Sequence, residues 1–425
     1  MSKRILFISI LSILIVFVIC LYISVNTTDK TFSKTRLIDF DDKTLVDFKK
    51  YDSVQVAASD MYKANDVKRI FQGEQYRKAW STPIKVPIVF LDTLKGGMVI
   101  TKEGGGNQTH SLELKGSDSI IYTLRSVNKD AEPLIPEFLK TLGLENIVSD
   151  GISAQHPYAA ILVAKLADKV NLLHTNPKVV FVPKQESLGK FNNKFGNRIF
   201  LLEYESEGDV NWTSYSNVTE IVDTEDLQEL KQELKDSITI DEHLLVRNRL
   251  FDILIGDWDR HAKQWGWAIQ KKNNVRVAIP IPCDRDNAFF NIEGLIPSIL
   301  SNKNVVKELR PFSEDIDYME GLIYPFDRYF LLKTNADVFI NEAKYLQETL
   351  TDRVLEEALE VWPKNIRDLD GTEIIDKIKA RRQNLQTYAL EFHKIIQKQG
   401  VLVEALKGSG DLILSDGLKK CFECE

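Results

Sequence analysis

The sequence has few cysteines and no excess of basic residues. Only four of its 425 residues are cysteines, namely Cys20, Cys283, Cys421 and Cys424. Four are too few for a disulfide-stapled fold, and the final Cys-Phe-Glu-Cys has neither a second pair nor nearby histidines, so we expect residues 406–425 to form a frayed tail. The formal net charge of −7 gives no electrostatic indication of nucleic-acid binding, and no nucleic-acid partner is expected.

One long uncharged apolar run, residues 5–25, stands near the N-terminus. At about 1.5 Å per residue, a helix of this length covers the roughly 30 Å hydrocarbon layer of a bilayer. Lys3 and Arg4 precede the run, which favours a cytoplasmic N-terminus. The sequence therefore predicts an uncleaved single-pass membrane anchor, with the soluble part on the periplasmic side. A cleaved signal peptide is the alternative, but the run is longer than usual for one and no small-x-small cleavage site follows.

Short strand patterns and helical patterns follow each other in the rest of the chain, which predicts an α+β fold. We expect a membrane anchor (1–30), a stalk with a leading helix (31–81), a sheet crossed by helices (82–205), a helical unit (206–405) and the tail. Within the helical unit, Thr239 and Glu242 form a capping-box pattern. Helices are also expected over 147–170, 352–362 and 372–399, and a β-hairpin over 264–279.

The two ends of that hairpin carry most of the polar chemistry of the sequence. The first end contains Asp257, Asp259, Arg260, His261 and Gln264, and the second contains Asp284, Asp286 and Asn287. A hairpin brings its ends together, so carboxylates far apart in sequence should meet in space. Phosphoryl transfer requires one carboxylate that orients the attacking hydroxyl and others that hold Mg²⁺. Asp284, Asp286 and Gln264 are the predicted metal ligands.

A glycine cluster, Gly104, Gly105 and Gly106, lies between two predicted strands. Glycine allows a hairpin tip to approach phosphates and to present backbone N–H groups to them. A tight turn is the simpler interpretation of such a cluster.

The segment Gly256-Asp-Trp-Asp-Arg-His-Ala-Lys-Gln-Trp265, followed by a hairpin and Asp284-Arg-Asp-Asn-Ala-Phe289, resembles the catalytic core of atypical kinases. These include lipid kinases of the phosphatidylinositol type, HipA-like kinases and secretory-pathway kinases. The resemblance implies a two-lobed protein-kinase-like fold that uses ATP and Mg²⁺ or Mn²⁺. It implies that Asp259 is the catalytic aspartate and Asp284 a metal ligand, and it places Gln264 where many such kinases have a metal-binding side chain.

Further segments are similar to a bacterial cell-envelope kinase-like domain that often sits beside calcineurin-type metallophosphoesterase modules. They are Tyr76-Arg-Lys-Ala-Trp80, Gly104-Gly-Gly-Asn-Gln-Thr109, Leu124-Arg-Ser-Val-Asn-Lys-Asp130, Ile152-Ser-Ala-Gln-His-Pro-Tyr158 and Arg381-Arg382. This resemblance extends over roughly residues 76–399. It implies a membrane-anchored phosphotransferase whose acceptor is unknown.

The sequence departs from the kinase pattern at the lysine that grips the nucleotide phosphates. Arg125 stands on the third strand, with Lys129 just beyond it, and Asp150 is the expected acidic partner. A catalytically inactive pseudokinase that binds a nucleotide or an envelope partner is therefore the alternative function. Structural roles are expected for Asp257 as a turn cap, and for Arg260 and His261 in fixing their loop. Packing is expected for Trp258, Trp265 and Trp267, and salt bridging for Arg381 and Arg382.

Overall fold

The computed structural model describes residues 3–26, 35–40, 46–105 and 108–424. These residues form a mixed α and β structure with three separate sheets. The strands are β1 (Arg36–Leu37), β2 (Ser53–Ala57), β3 (Ile84–Pro87), β4 (Met98–Gly104), β5 (Ser111–Gly116), β6 (Ile121–Ser126), β7 (Lys178–Val182), β8 (Arg198–Tyr204), β9 (Val218–Asp223), β10 (Ile238–Ile240), β11 (Trp265–Lys272) and β12 (Val275–Pro282).

The helices are concentrated in the C-terminal half of the chain. They are α1 (Lys3–Asn26), α2 (Asp66–Gln72), α3 (Arg77–Ser81), α4 (Glu137–Thr141), α5 (Asn146–Gly151), α6 (Ala159–Lys169), α7 (Asn192–Phe195), α8 (Thr224–Leu234), α9 (Glu242–Ile255), α10 (Leu295–Leu300), α11 (Pro325–Leu331), α12 (Ala336–Thr349), α13 (Asp352–Ala358), α14 (Lys364–Ile366), α15 (Thr372–Gln383) and α16 (Leu385–Gln399).

The sheet expected within residues 82–205 is present as five antiparallel strands in the order β4-β5-β6-β8-β7. Successive side chains of a strand point to opposite faces. On β6, Leu124 and Tyr122 are buried in an apolar cluster with β5 and β8. The intervening Thr123 and Arg125 are therefore on the other face, where they bond to acidic side chains of the β8 end.

The segment expected to be a stalk differs from that expectation over its described residues. β2 pairs with β3 in an antiparallel arrangement, and Val54, Val56 and Trp80 are buried. The Trp80 indole N–H donates to the Gln155 carbonyl at 2.9 Å. This part of the chain therefore belongs to the main core.

The second sheet has the order β10-β12-β11-β9, with β10 parallel to β12 and the other pairs antiparallel. The β11–β12 hairpin is paired from Trp265 opposite Pro282 to Lys272 opposite Val275. The Cys283 N–H donates to the Gln264 carbonyl at 2.9 Å, which extends the ladder to the acidic loops. The prediction that one hairpin holds both loops together is confirmed.

Three expected helix features differ in the structure. Asp241, not Thr239, caps α9, since its carboxylate accepts from the Leu244 N–H at 3.0 Å and Thr239 lies in β10. The helix expected over 147–170 is divided into α5 and α6 by a turn that contains Pro157. The helix expected over 372–399 is divided into α15 and α16 at Asn384. Proline lacks the N–H that a continuous helix requires, which explains the first break.

The expectation of a frayed C-terminal tail is wrong for the described residues. Cys421 and Cys424 form a disulfide. The intervening Phe422 is fully buried, and its backbone N–H donates to the Tyr329 carbonyl at 2.9 Å. The apolar side chain of Phe422 provides the burial that fixes the end of the chain against α11.

The N-terminal apolar run forms the single helix α1, which is long and apolar enough to cross a membrane. Its C-terminal end is bonded to the rest of the protein. The Tyr22 hydroxyl donates to the Leu142 carbonyl, and the Asn146 amide donates to the Val25 carbonyl, both at 2.8 Å. The end of the helix is thus held against α4 and α5.

Candidate functional site

The candidate site lies where the polar face of the five-stranded sheet meets the loop after β12. Two cationic side chains from the sheet side contact two carboxylates of the loop. Arg125 Nη1 lies 2.7 Å from Asp284 Oδ2, and Lys129 Nζ lies 2.7 Å from Asp286 Oδ2. These four residues, all singled out from the sequence, are brought together by the fold.

The backbone aims the Asp284 carboxylate in an unusual way. Asp284 has a positive φ of 53°, a left-handed conformation that aspartate tolerates better than most residues. It begins the short 3₁₀ turn Arg285–Asn287, which orients Asp284 and Asp286 toward the sheet. Asp284 Oδ1 is buried and accepts no hydrogen bond in the described structure.

The charges of the site shift the two carboxyl groups in opposite directions. Burial raises the pKa of Asp284, but Arg125 and Lys129 outweigh burial and bring the pKa below its usual value. Burial and the neighbouring Asp284 charge raise the pKa of Asp286 to about 6, despite the opposing effect of Lys129. Two carboxylates of different basicity therefore stand side by side.

Arg125 is held by a third acidic residue that the sequence did not indicate. Its Nε donates to Glu203 Oε2 at 3.3 Å, and the Thr175 hydroxyl donates to Glu203 Oε1 at 2.6 Å. Burial raises the pKa of Glu203, and the Arg125 charge partly offsets that rise. Glu203 is on β8, which pairs with β6, and only knowledge of that strand order could have identified it.

Asp150 has other partners than the one expected. Lys68 Nζ lies 2.7 Å from its Oδ1, and Arg77 donates to both of its oxygens. Asp150 is buried with them among α2, α3 and α5. The acidic partners of Arg125 are instead Asp284 and Glu203, and Glu203 is within reach because β8 is the neighbour of β6 in the sheet.

The loop after α9 carries Asp259. The α9 helix is capped at its C-terminal end by Gly256, which adopts φ +66° and where a Cβ would meet the Phe312 ring at 2.5 Å. Asp259 is partly exposed, and its Oδ1 lies 3.8 Å from His261 Nε2. Burial lowers the pKa of His261, which favours its neutral form. The carboxylate of Asp259 is thus accessible to solvent.

Asp257 has the structural role expected from the sequence. Its Oδ1 accepts the Asp259 backbone N–H at 3.2 Å. The side chain is fully buried, and burial raises its pKa well above the usual value. Asp257 therefore shapes the loop that presents Asp259.

Arg260 joins this loop to the other acidic loop, as expected for a structural guanidinium. It is fully buried and donates to the Cys283 carbonyl at 2.7 Å, the Gln264 carbonyl at 3.3 Å and Asp252 Oδ2 at 3.1 Å. Asp252 also accepts from Arg249 and Arg285, each at 2.9 Å. This cluster ties α9 to Arg260, which directly follows Asp259, and to Cys283, which directly precedes Asp284.

Among the other expected structural roles, packing is confirmed for Trp265 and Trp267, which are buried in the core. Arg381 differs from the salt bridge expected of it, because its guanidinium donates to the backbone carbonyls of Ile253 and Ser313. Arg382 donates to Asp352 at 2.5 Å.

The glycine turn joins β4 and β5, with Gly104 opposite Ser111. Gly105 has φ +108°, and a Cβ there would lie 2.2 Å from the Thr109 carbonyl oxygen, so the turn requires glycine at this position. Gly106 lies outside the described residues. The residues between this turn and β5 lie near the site. The Gln108 carbonyl accepts from the backbone N–H of Asp130 at 2.6 Å, and Asp130 directly follows Lys129 in the chain.

Gln264, the amide expected among the metal ligands, and Asn287 of the second acidic loop have different surroundings. Gln264 lies in a 3₁₀ turn next to β11, largely buried, and its backbone carbonyl accepts from Cys283 and Arg260. Asn287 Oδ1 accepts from the Gln155 amide at 2.5 Å, so this oxygen already has a partner.

The residues present fit a hard divalent cation. No cluster of three or more His, Cys, Asp or Glu side chains suited to a metal occurs among the described residues. A pair of adjacent carboxylates with one unpartnered buried oxygen is nevertheless the donor set that Mg²⁺ uses when phosphate and water oxygens complete its shell. Asp284 and Asp286 would hold such an ion, in competition with Arg125 and Lys129.

No protein-family model and no curated protein matches the sequence. Among solved structures, the Helicobacter pylori proinflammatory kinase CtkA is similar with 13% identity over 70% of this chain and 95% of that chain, at a TM-score of 0.36. The complex of HipA, HipB and operator DNA from the Shewanella oneidensis MR-1 toxin–antitoxin system is similar with 11% identity over 60% and 58%, at a TM-score of 0.29. Scores this low support no conclusion about fold or function.

Proposed function

We propose that this chain is a membrane-anchored, kinase-like phosphotransferase that uses ATP and Mg²⁺ or Mn²⁺. The observation that carries the proposal is the meeting of Arg125 and Lys129 with Asp284 and Asp286 across two sheets. Cations that can bind phosphates and carboxylates that can bind a metal stand together, as phosphoryl transfer requires. In this proposal, residues 82–205 form the N-terminal lobe and residues 206–405 the C-terminal lobe of a two-lobed fold.

The residues would divide the work as follows. Asp284 and Asp286, with the Gln264 amide as a third oxygen, would hold the metal, which neutralises charge on the phosphates. Arg125 and Lys129 would turn from the carboxylates to the phosphates, and the Gly104–Gly105 backbone would cover them. Asp259 would orient the acceptor hydroxyl, because it is the accessible carboxylate of the neighbouring loop.

The envelope location is supported by two features of the chain. α1 has the length and composition of a membrane-spanning helix, and the Cys421–Cys424 disulfide is stable in oxidising compartments such as the periplasm. We propose that the soluble part faces the periplasm.

A pseudokinase that binds a nucleotide without turnover is the second candidate function. The cations and carboxylates of the site already satisfy each other, and an arginine stands where kinases use a lysine. Both features favour a site whose charges neutralise each other over a site whose carboxylates are free to bind a metal.

The full chain in detergent micelles separates these functions. Thermal unfolding with ATP, with and without Mg²⁺, measures binding, and transfer of labelled γ-phosphate to water or to the chain measures turnover. We expect a stabilising shift that depends on Mg²⁺, and a loss of transfer of about 100-fold or more in Asp259→Asn, since a positioned carboxylate contributes on this scale. Asp376→Asn, an exposed aspartate of α15, is the matched control and should keep wild-type transfer.

Each outcome has a clear consequence. Binding without transfer in the wild type would establish the pseudokinase. Equal transfer in the wild type and Asp259→Asn would remove Asp259 from the mechanism. No thermal shift under either condition would exclude both nucleotide functions.

A further inference from the structure

The soluble part carries exposed apolar side chains in two places that both border the membrane helix. One place is α2 together with α10 and the residues after it. Its exposed apolar members are Ile70, Leu295, Ile299, Leu300, Val305 and Val306. The other is α4 and its flanks, with Leu134, Phe138 and Leu142 exposed. We call these two patches together the apolar rim.

The first patch is continuous with α1 through direct packing. The Phe17 ring of α1 lies 5.3 Å from the Phe71 ring of α2, and Ser24 of α1 accepts from the Gln72 amide at 3.2 Å. Residue Ile70, next to Phe71, lines a groove of about 690 Å³ with Leu295, Ile299 and Val305. Ile70, which lines the groove, is therefore adjacent in sequence to Phe71, which contacts α1.

The second patch is continuous with α1 through α4. The Tyr22 hydroxyl bonds to the carbonyl of Leu142, the residue that ends α4. The Asn146 amide bonds to Val25. Phe138, on the same short helix, is 63% exposed, an unusual exposure for a phenylalanine in a folded protein.

The position of these contacts along α1 sets their depth. At about 1.5 Å per residue, Ser24 and Tyr22, which bond to Gln72 and Leu142, lie within about 5 Å of Val25 along the helix axis. If the apolar run spans the bilayer, these bonds place the end of α2 and the end of α4 beside its outermost turn, and only the Phe17–Phe71 ring contact reaches deeper. Surfaces that lie at this level contact headgroups and the first acyl carbons, where exposed apolar side chains are favourable.

We infer that the apolar rim rests in the surface of the lipid bilayer that holds α1. This inference depends on the membrane anchor proposed above. It goes beyond anchoring, because it fixes which face of the soluble part lies on the lipid. The chain runs directly from the Asp284 loop through Phe289 and Phe290 into α10, so the segment that leaves the candidate site is the one that rests on the membrane. An acceptor at the bilayer surface would therefore lie close to this segment.

Spin labelling of the full chain in nanodiscs of phosphatidylcholine and phosphatidylglycerol tests the inference. Nitroxide labels are placed at Ile299→Cys and Phe138→Cys, in a Cys20→Ser background, because Cys283 is buried and the other two cysteines are paired. Ile413→Cys is the matched control, an apolar residue that is 94% exposed on the C-terminal segment. Leu11→Cys reports on α1 itself. Accessibility to oxygen and to a water-soluble nickel chelate is measured at each label.

We expect the Ile299 and Phe138 labels to have an oxygen-to-nickel accessibility ratio severalfold above that of the Ile413 label and shifted toward that of Leu11. A lipid-like ratio at Leu11 with Ile413-like ratios at both rim labels would overturn the rim and leave the anchor intact. A water-like ratio at Leu11 would overturn both. Dipolar broadening between rim labels of two copies would assign the surface to a second copy of the chain and so overturn the lipid assignment.

Discussion

At the residue scale, the Lys129 ammonium forms an ion pair with Asp286, a carboxylate that a divalent cation would also bind. Asp286 differs from an ordinary aspartate because burial and the Asp284 charge raise its pKa to about 6. Deprotonation of a buried carboxyl costs folding free energy, so the stability associated with this group is present below its ordinary pKa and is lost as pH rises through about 6. A cation bound at Asp286 reverses that cost.

Divalent-metal binding should therefore depend on pH near neutrality. Below pH 6 a proton competes for Asp286, so the apparent affinity for Mn²⁺ should fall by up to about tenfold per pH unit between pH 6 and pH 5, if one proton is displaced. Between pH 7 and pH 8 the affinity should be nearly constant. Mn²⁺ titrations of the full chain, followed by electron paramagnetic resonance, measure this dependence.

Asp286→Asn is the control for that measurement. It should bind Mn²⁺ more weakly at every pH and should lose the dependence between pH 5 and pH 6. Equal Mn²⁺ affinity of the wild type at pH 5 and pH 7 would contradict the assignment of Asp286 as a ligand.

The sequence could indicate residues of the site that stand in a local pattern, and it could not indicate those that depend on pairing. Asp259, Asp284 and Asp286 lie in two short acidic loops, and the hairpin between them is visible as two apolar strands. Glu203 lies in a strand and Asp252 in a helix, outside the two acidic loops. Their importance follows from β8 lying beside β6, and from three arginines converging on one carboxylate.

At the element scale, the α9 helix and the β11–β12 hairpin act as one support for the acidic loops. Arg260 provides the connection, since it bonds to Asp252 of α9 and to the carbonyls at both ends of the hairpin. Apolar periodicity predicted that both elements exist. It missed the cap at Asp241 and the breaks at Pro157 and Asn384, because apolar periodicity shows which segments are helical and does not fix the residue at which a helix begins or ends.

Removal of Arg260 should destabilise the whole unit. Arg260→Met leaves the buried Cys283 carbonyl without its donor and removes one of three cations from Asp252, so we expect a loss of about 3–5 kcal/mol of unfolding free energy. Arg276→Met is the matched control, because Arg276 is more exposed and forms a single longer ion pair, 3.6 Å from Glu220. It should cost less than about 1 kcal/mol. Chemical denaturation of both variants measures the difference, and similar losses would contradict the role given to Arg260.

At the scale of the whole molecule, contacts distant in sequence close both ends of the chain onto the core. The N-terminal helix is bonded to α2, α4 and α5, and the C-terminal segment returns to α8 and α11. Near the C-terminus, the Leu402 N–H donates to the Lys420 carbonyl at 3.0 Å, and Lys231 lies over the Phe422 ring at 4.9 Å. This closure could not be predicted from the sequence, because the burial of both terminal segments depends on surfaces formed by distant helices.

The C-terminal closure should be stabilised more by Phe422 than by the disulfide that surrounds it. Phe422 is fully buried against Tyr329 and Phe330, and Phe422→Ala should cost about 3–5 kcal/mol, as buried phenylalanines do. The disulfide closes only a very short loop, so the Cys421→Ser and Cys424→Ser pair of substitutions should cost about 2 kcal/mol or less. Ile413→Ala, at a residue that is 94% exposed, should change stability by less than about 0.5 kcal/mol. Chemical denaturation of the three variants ranks the contributions. A loss in Phe422→Ala no larger than in Ile413→Ala would mean that the chain end is not packed in solution, whereas the expected order would show that the end of the chain is part of the core.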